Sequence, residues 1–216
     1  MAIRFMVKIK ICGITPNDDI SRLVELEPDF LGFIFFSKSP RDISDCVHKI
    51  KFELISHQIE RVAVTVNKPI DEVCKLVDEF GFEYVQLHGD ETVGYCKELS
   101  SFVKPIKVFR VTNELPGNVS EYQQVCEYIL FDAKGFKLGG NGHEFNHSIF
   151  SDYHWSKPFL VGGGIGPDFG GLFNLIGLPG FLGLYLNSRF EVRLGLKNID
   201  KLKYFIGKIR SYDKVP

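Results

Sequence analysis

Eight short apolar runs recur along this chain, about 25 residues apart, and most of the spacers between them carry helical periodicity or helix-start signals. The runs are residues 7–11, 30–35, 61–66, 84–87, 104–109, 128–131, 159–161 and 181–186. Helices are expected over 17–26, 42–54, 70–80, 91–99, 119–125, 146–153, 168–175 and 198–209. Near-continuous apolar strands alternating with helices call for a parallel sheet covered on both faces, because each crossover returns the chain with the same hand. Eight such units predict closure into a compact (β/α)8 TIM barrel, with a doubly wound open sheet as the alternative. No linker or low-complexity run interrupts the count, so residues 1–216 are expected to form a single barrel domain.

Composition narrows the functions such a barrel can have. Lys and Arg number 26 against 27 Asp and Glu, so no global field draws the chain to nucleic acid or to an anionic membrane. The longest greasy stretch, 175–186, is short and broken by Pro179, which excludes an ordinary membrane span. Charges at Arg4, Lys8 and Lys10 leave no apolar signal segment ahead of the first strand. Five cysteines without close pairing argue against a secreted disulfide framework, and the expected location is the cytoplasm.

In a closed barrel every strand's C-terminal end faces one mouth, so residues distant in sequence converge there. The first strand stops at a thiol, Cys12, followed by Gly13, and the sixth ends in a carboxylate, Asp132. Taken alone, Cys12 is a small buried hydrophobe as readily as a reactive group. The stretch Gly162-Gly163-Gly164-Ile165-Gly166 follows strand seven, where bare backbone N–H groups at a helix start can receive an anion. It is also simply a tight turn, and its spacing is not that of a dinucleotide fingerprint. Asn187-Ser188-Arg189 adds donors after strand eight. Arg41, behind Pro40, is either a bidentate clamp for a carboxylate or a surface arginine. Residues 133–144 hold Gly135, Gly139, Gly140 and Gly142, and form either a lid over a ligand or a connector. His143 and His147 lack a third ligand at suitable spacing, so no metal is expected. His88, at the end of strand four, lines the mouth or satisfies local hydrogen bonds.

Several blocks together resemble the phosphoribosylanthranilate isomerases in order and spacing: Lys10-Ile11-Cys12-Gly13-Ile14-Thr15, Gly32-Phe33-Ile34-Phe35 with Ser39-Pro40-Arg41, Val85-Gln86-Leu87-His88-Gly89 and Gly139-Gly140-Asn141-Gly142. Phe131-Asp132-Ala133-Lys134, Gly163-Gly164-Ile165 and Leu186-Asn187-Ser188-Arg189-Phe190-Glu191 are similar to that family's last three barrel motifs. The resemblance spans essentially the whole chain. It implies a cofactor-independent Amadori rearrangement of N-(5-phosphoribosyl)anthranilate to the aminoketose, a step in tryptophan biosynthesis, by a monomer or homodimer whose partner is a small phosphorylated substrate. It further implies Asp132 as the general acid that opens the furanose and Cys12 as the base that takes the C2 proton. Arg41 would hold the anthranilate carboxylate, and Gly163, Gly164, Asn187 and Ser188 the phosphate. A free thiol titrates near about 8.5 and a free Asp near about 3.9, so both groups need tuning, the thiol by positive charge such as Lys10.

Three departures from the family pattern stand out. Tyr185 occupies a position where the family usually carries an acidic residue, Phe145-Asn146-His147 replaces Phe-Asp-Trp, and 194–198 lacks the usual Pro-Gly and terminal Asp. The changes at Tyr185 and Asn146-His147 motivate one competing expectation, a phosphosugar binder without turnover; another, a different enzyme on the same scaffold, rests on barrels hosting many reactions at one mouth. Indole-glycerol-phosphate synthase, the nearest metabolic neighbour, would require a lysine and a glutamate at strand ends that the sequence does not identify.

Overall fold

The computed structural model describes residues 6–112, 114–133, 148–151 and 153–212. Eight parallel strands, β1 (Lys8–Cys12), β2 (Phe30–Ile34), β3 (Glu60–Thr65), β4 (Tyr84–Leu87), β5 (Lys104–Val111), β6 (Tyr128–Ala133), β7 (Phe159–Gly162) and β8 (Phe181–Leu186), close into a barrel in sequence order. Closure is made by β1 against β8, with Lys10 opposite Tyr185 and Ile11 opposite Leu186. The expected barrel is therefore the observed one, and the open-sheet alternative is excluded.

Alternation along β1 explains where the chemistry sits. Successive strand side chains point to opposite faces. Ile9 and Ile11 join the large outer core beneath the helices, whereas Cys12 joins the smaller cluster inside the barrel. Lys10 shares the inward face. The lower lumen is filled by Phe30, Tyr84 and Tyr128, whose ring centroids lie 5.6 to 6.0 Å apart. Their bulk makes the bottom a packed plug and leaves open space at the upper end.

The covering helices are α1 (Ile20–Val24), α2 (Ile70–Phe80), α3 (Val93–Leu99), α4 (Val119–Gln123), α5 (Ser148–Ser151), α6 (Leu172–Leu175) and α7 (Ile199–Tyr212). The helix expected over 70–80 forms as read: Val73 and Val77 are buried, and Gly81 at φ 63 ends it by donating its N–H to the Val77 carbonyl. Others are shorter than expected. Asp18 accepts from the Thr15 and Lys197 backbone N–H groups, so the cap of α1 falls to Asp19.

The helix expected over 42–54 is absent; two single 3-10 turns, Val47–Lys49 and Phe52–Leu54, stand in its place. Its first residues are committed elsewhere. Asp42 bridges to Ile34 and its carboxylate accepts from the Phe36 N–H and the Ser44 hydroxyl, a local alternative to helical bonding. After β8 an antiparallel ribbon appears that the periodicity did not suggest, β9 (Glu191–Arg193) with β10 (Leu196–Lys197), turned by Gly195 at φ 71.

Candidate active site

The strand ends surround a cavity of about 300 Å³ lined by, among others, Arg41, His88, Arg110, Asp132, Gly163, Gly164, Tyr185, Asn187, Ser188 and Arg189. Six of the seven site residues expected from sequence thus share one cavity. Cys12, the seventh, has no exposed surface and does not line it. The thiol lies inside the barrel, and Tyr185 of the neighbouring strand, in the same inner cluster, lines the cavity.

Asp132 stands one residue before the end of β6 and shares the inward face of Leu130, two residues earlier. Its Oδ2 stands 3.6 Å from His88 Nε2. The other ring nitrogen, Nδ1, lies 3.2 Å from Gln86 Nε2. With Gln86 donating, the proton of a neutral imidazole resides on Nε2 and points at the carboxylate. His88 therefore both lines the mouth and makes a local hydrogen bond, so the two readings of it hold together.

Arg41 behaves differently from expectation. Its guanidinium is already engaged two-point by Glu191, Nε to Oε1 at 2.7 Å and a terminal nitrogen to Oε2 at 2.6 Å. Two of its five N–H groups are used, and three remain for a ligand. Glu191 also accepts from Lys197 Nζ at 2.9 Å, and Lys197 donates to Asn187 Oδ1 at 2.8 Å. Asn187 Nδ2 in turn donates to the Tyr185 hydroxyl oxygen at 3.2 Å. Burial works against the Glu191 charge, yet the bonds from Arg41 and Lys197 hold its carboxyl below the usual range. Burial likewise pushes the Lys197 ammonium down, with Glu191 opposing. The Arg41–Glu191–Lys197–Asn187–Tyr185 chain of contacts fixes one wall of the cavity.

Lys10 is a further buried cation, on the inward face of β1. Its Nζ is buried and has no hydrogen-bond partner among the described residues. It lies 5.2 Å from the centre of the Tyr185 ring. Gly32 makes room for it: a Cβ there would meet Lys10 Nζ at 2.5 Å and Cys12 Sγ at 2.6 Å. Burial lowers the Lys10 ammonium from its ordinary value, and the adjacent Cys12 partly offsets this.

Gly163 and Gly164 both have positive φ, 89 and 71, a conformation open to glycine and costly for other residues. The expected helix start beside them is not formed, because residues 166–169 turn first and α6 begins only at Leu172. A one-turn helix that starts eight residues beyond Gly164 lends the seat little, so an anion there would rely on the glycine backbone, on Asn187-Ser188 and on Arg189, which all line the cavity. Among the described residues no group of His, Cys, Asp or Glu is arranged to hold a metal; His143, His147, most of the glycine-rich 133–144 segment and Asn146 lie outside them.

Sequence reasoning missed Arg110 and the roles of Glu191 and Lys197. Arg110 continues the inward alternation Ile106, Val108, Arg110 of β5 and pairs in register with Asp132, so its position at the mouth was legible from period two. Glu191 and Lys197 reach the site only through the β9–β10 ribbon, for which Gly195 was the sole local signal.

Comparison with known proteins agrees with the closed barrel fold. Residues 9–208 match the family model described as N-(5'phosphoribosyl)anthranilate (PRA) isomerase. The N-(5'-phosphoribosyl)anthranilate isomerase of Parabacteroides distasonis is 35% identical over 205 residues, covering 93% of this chain and 92% of the relative. That of Petrotoga mobilis is 36% identical over 209 residues, covering 95% and 98%. The crystal structure of the Thermotoga maritima phosphoribosyl anthranilate isomerase superposes with a TM-score of 0.80 at 30% identity, covering 95% of this chain and all of that one. A phosphoribosyl anthranilate isomerase in complex with reduced 1-(o-carboxyphenylamino)-1-deoxyribulose 5-phosphate superposes at 0.78 with 27% identity, covering 95% and 100%. A model matching nearly the whole barrel, and relatives matched along almost their full length, establish that this chain belongs to the N-(5'-phosphoribosyl)anthranilate isomerase family.

Proposed function

We propose that the chain isomerises N-(5'-phosphoribosyl)anthranilate to 1-(2-carboxyphenylamino)-1-deoxyribulose 5-phosphate by an Amadori rearrangement, as an aldose–ketose isomerase without a cofactor. The observation that carries the reading is the meeting of Asp132, Arg41, the Gly163-Gly164 pair and Asn187-Ser188 around one cavity of about 300 Å³. That volume suits one sugar phosphate carrying an aromatic ring.

In this reading a protonated Asp132 gives its proton to the ribose ring oxygen, the C1–O bond breaks, and the substrate opens to an iminium. The iminium acidifies the neighbouring C2–H, and that proton is delivered to the Cys12 sulfur, leaving a neutral enolamine. Reprotonation at C1 and loss of the C2 hydroxyl proton to Asp132 give the ketone and restore both groups. Arg41, pinned by Glu191, holds the anthranilate carboxylate with its remaining N–H groups. The phosphate sits against Gly163, Gly164, Asn187 and Ser188. A single-domain monomer or homodimer working in the cytoplasm completes the proposal.

Purified protein given phosphoribosylanthranilate tests this by loss of substrate fluorescence and chromatographic identity of the product. Turnover undiminished after chelation and dialysis is the expected result; no aminoketose, or activity restored only by an added cofactor, contradicts it. The burial of Cys12 favours one second reading, a phosphosugar binder without turnover. Stoichiometric calorimetric binding with zero product is its signature.

A further inference from the structure

Cys12 has no exposed surface, and Tyr185 is a cavity-lining residue beside it. The register explains the arrangement. Tyr185 is the cross-strand partner of Lys10, and Cys12 lies two residues beyond Lys10 on the same inward face. On the other side, β7 ends in Gly162, which is in register with Asp132. A Cβ on Gly162 would come 2.5 Å from Tyr185 Cδ1, so the Tyr185 ring occupies the space a side chain at Gly162 would have filled. Asn187 steadies the hydroxyl oxygen by a hydrogen bond of 3.2 Å.

The charges around the sulfur are unbalanced. Lys10, Lys197 and Arg41 all act on Cys12. Glu191 is hydrogen-bonded to Arg41 and Lys197, while Lys10 Nζ has no hydrogen-bond partner among the described residues. Tyr185 lines the cavity and Cys12 does not, and the two side chains belong to the same cluster inside the barrel, on neighbouring strands.

We propose that Tyr185 is a catalytic relay of the isomerisation: its phenol oxygen takes the C2 proton of the opened substrate while its own O–H proton passes to the Cys12 sulfur. This rests on the isomerase reading above. The C2–H bond breaks and its electron pair moves into the C1–N iminium, giving the enolamine. A new O–H bond forms on Tyr185 as the old one breaks, and an S–H bond forms on Cys12. Burial first, and the neighbouring Cys12 second, hold the phenol well above its usual value. A standing phenolate is thereby excluded, and the hydroxyl acts by receiving one proton as it releases another. Reverse passage returns the proton from sulfur to C1, and Asp132, ionised since ring opening, collects the C2 hydroxyl proton.

The test is Tyr185→Phe, which keeps the ring and removes only the oxygen. Expected are a fall in kcat of about a hundredfold, the scale of a lost proton-transfer group, an unchanged KM, and a primary isotope effect with C2-deuterated substrate larger than in the parent. A purely structural role would move the melting temperature or KM and leave the isotope effect alone. Unchanged kcat, or a rise in KM with kcat kept, overturns the relay while leaving the isomerase reading intact. Absence of turnover in the parent protein overturns both. Should the Phe variant fail to fold, Gly162→Ala, which presses on the Tyr185 ring and keeps its hydroxyl, gives the same readout: a lower kcat at constant KM supports the relay and unchanged kcat overturns it.

Discussion

Arg41 and Glu191 lie 150 residues apart and meet in a two-point ion pair, with contacts of 2.7 and 2.6 Å. Both side chains are largely covered, at 13% and 5% exposure. The pair ties the loop after β2 to the ribbon after β8 across the closure of the barrel. It also fixes the plane of a guanidinium that would otherwise sample many rotamers.

Glu191→Gln leaves Arg41 and Lys197 as buried charges without a counter-ion, a loss on the order of 3–5 kcal/mol. At about 2–4 °C per kcal/mol for a chain of this size, the melting temperature should fall by roughly 10 °C, and KM should rise as Arg41 loses its orientation. The pH dependence follows from the lowered Glu191 carboxyl. Its contribution is complete above the unfolded value of about 4.3 and is lost as pH falls through the lower folded value. Acid unfolding of the parent should include this loss, and the Gln variant should lack it; equal melting temperatures at pH 7 would show the pair to be inert.

Lys10→Met should raise stability and lower activity together. Burial lowers the Lys10 ammonium, so in the window between that lowered value and about 10.4 the unfolded chain binds more protons than the folded one. Stability of the parent should therefore climb with pH through that window. Met removes a buried Nζ with no hydrogen-bond partner among the described residues, worth about 1–3 kcal/mol, and removes the alkaline gain with it. Urea unfolding at neutral and alkaline pH measures both, and a Met variant less stable than the parent would show that the ammonium is better paired than its geometry indicates.

How much of this was legible in the chain depends on which physical signal carried it. Strand periodicity and the βα order were enough for the barrel, because eight parallel apolar strands have few ways to bury both faces. The meeting of Asp132, Asn187 and the glycine pair around one cavity was readable because strand ends share one mouth, whereas Cys12 does not line it. The helix expected over 42–54 failed since its first residues satisfy their polar groups locally, through Asp42 and Ser44, a choice that periodicity does not register. The partner of Arg41 was unreadable for another reason: Glu191 arrives on a short ribbon of five strand residues, Glu191–Arg193 and Leu196–Lys197, too brief to leave a pattern. The burial of Cys12 away from the cavity lining is a matter of side-chain packing inside the barrel, which strand periodicity does not register.

His88→Ala should lower kcat with little change in KM, by less than the roughly hundredfold expected from removing a general acid outright. His88 Nε2 stands 3.6 Å from Asp132 and in the proposed chemistry acts on that carboxyl group without touching the ring oxygen. Steady-state kinetics decide this; a loss equal to that of Asp132→Asn would make His88 the proton donor itself.

Gly164→Val tests the phosphate seat. Gly164 has φ 71, where a β-branched residue costs about 1–3 kcal/mol of backbone strain, so the turn should shift and the seat with it. The expected outcome is a higher KM and weaker competitive inhibition by inorganic phosphate, with kcat nearly kept. Unchanged phosphate inhibition would remove Gly164 from the seat.

The most direct measurement is the steady-state rate of phosphoribosylanthranilate turnover by the parent, Cys12→Ala and Asp132→Asn proteins side by side, with calorimetric binding of the reduced product analogue to each. The expected result is turnover by the parent, a fall in kcat of about a hundredfold or more in each variant, and analogue affinity retained in both. Full activity in both variants would contradict the assignment of base and acid to Cys12 and Asp132.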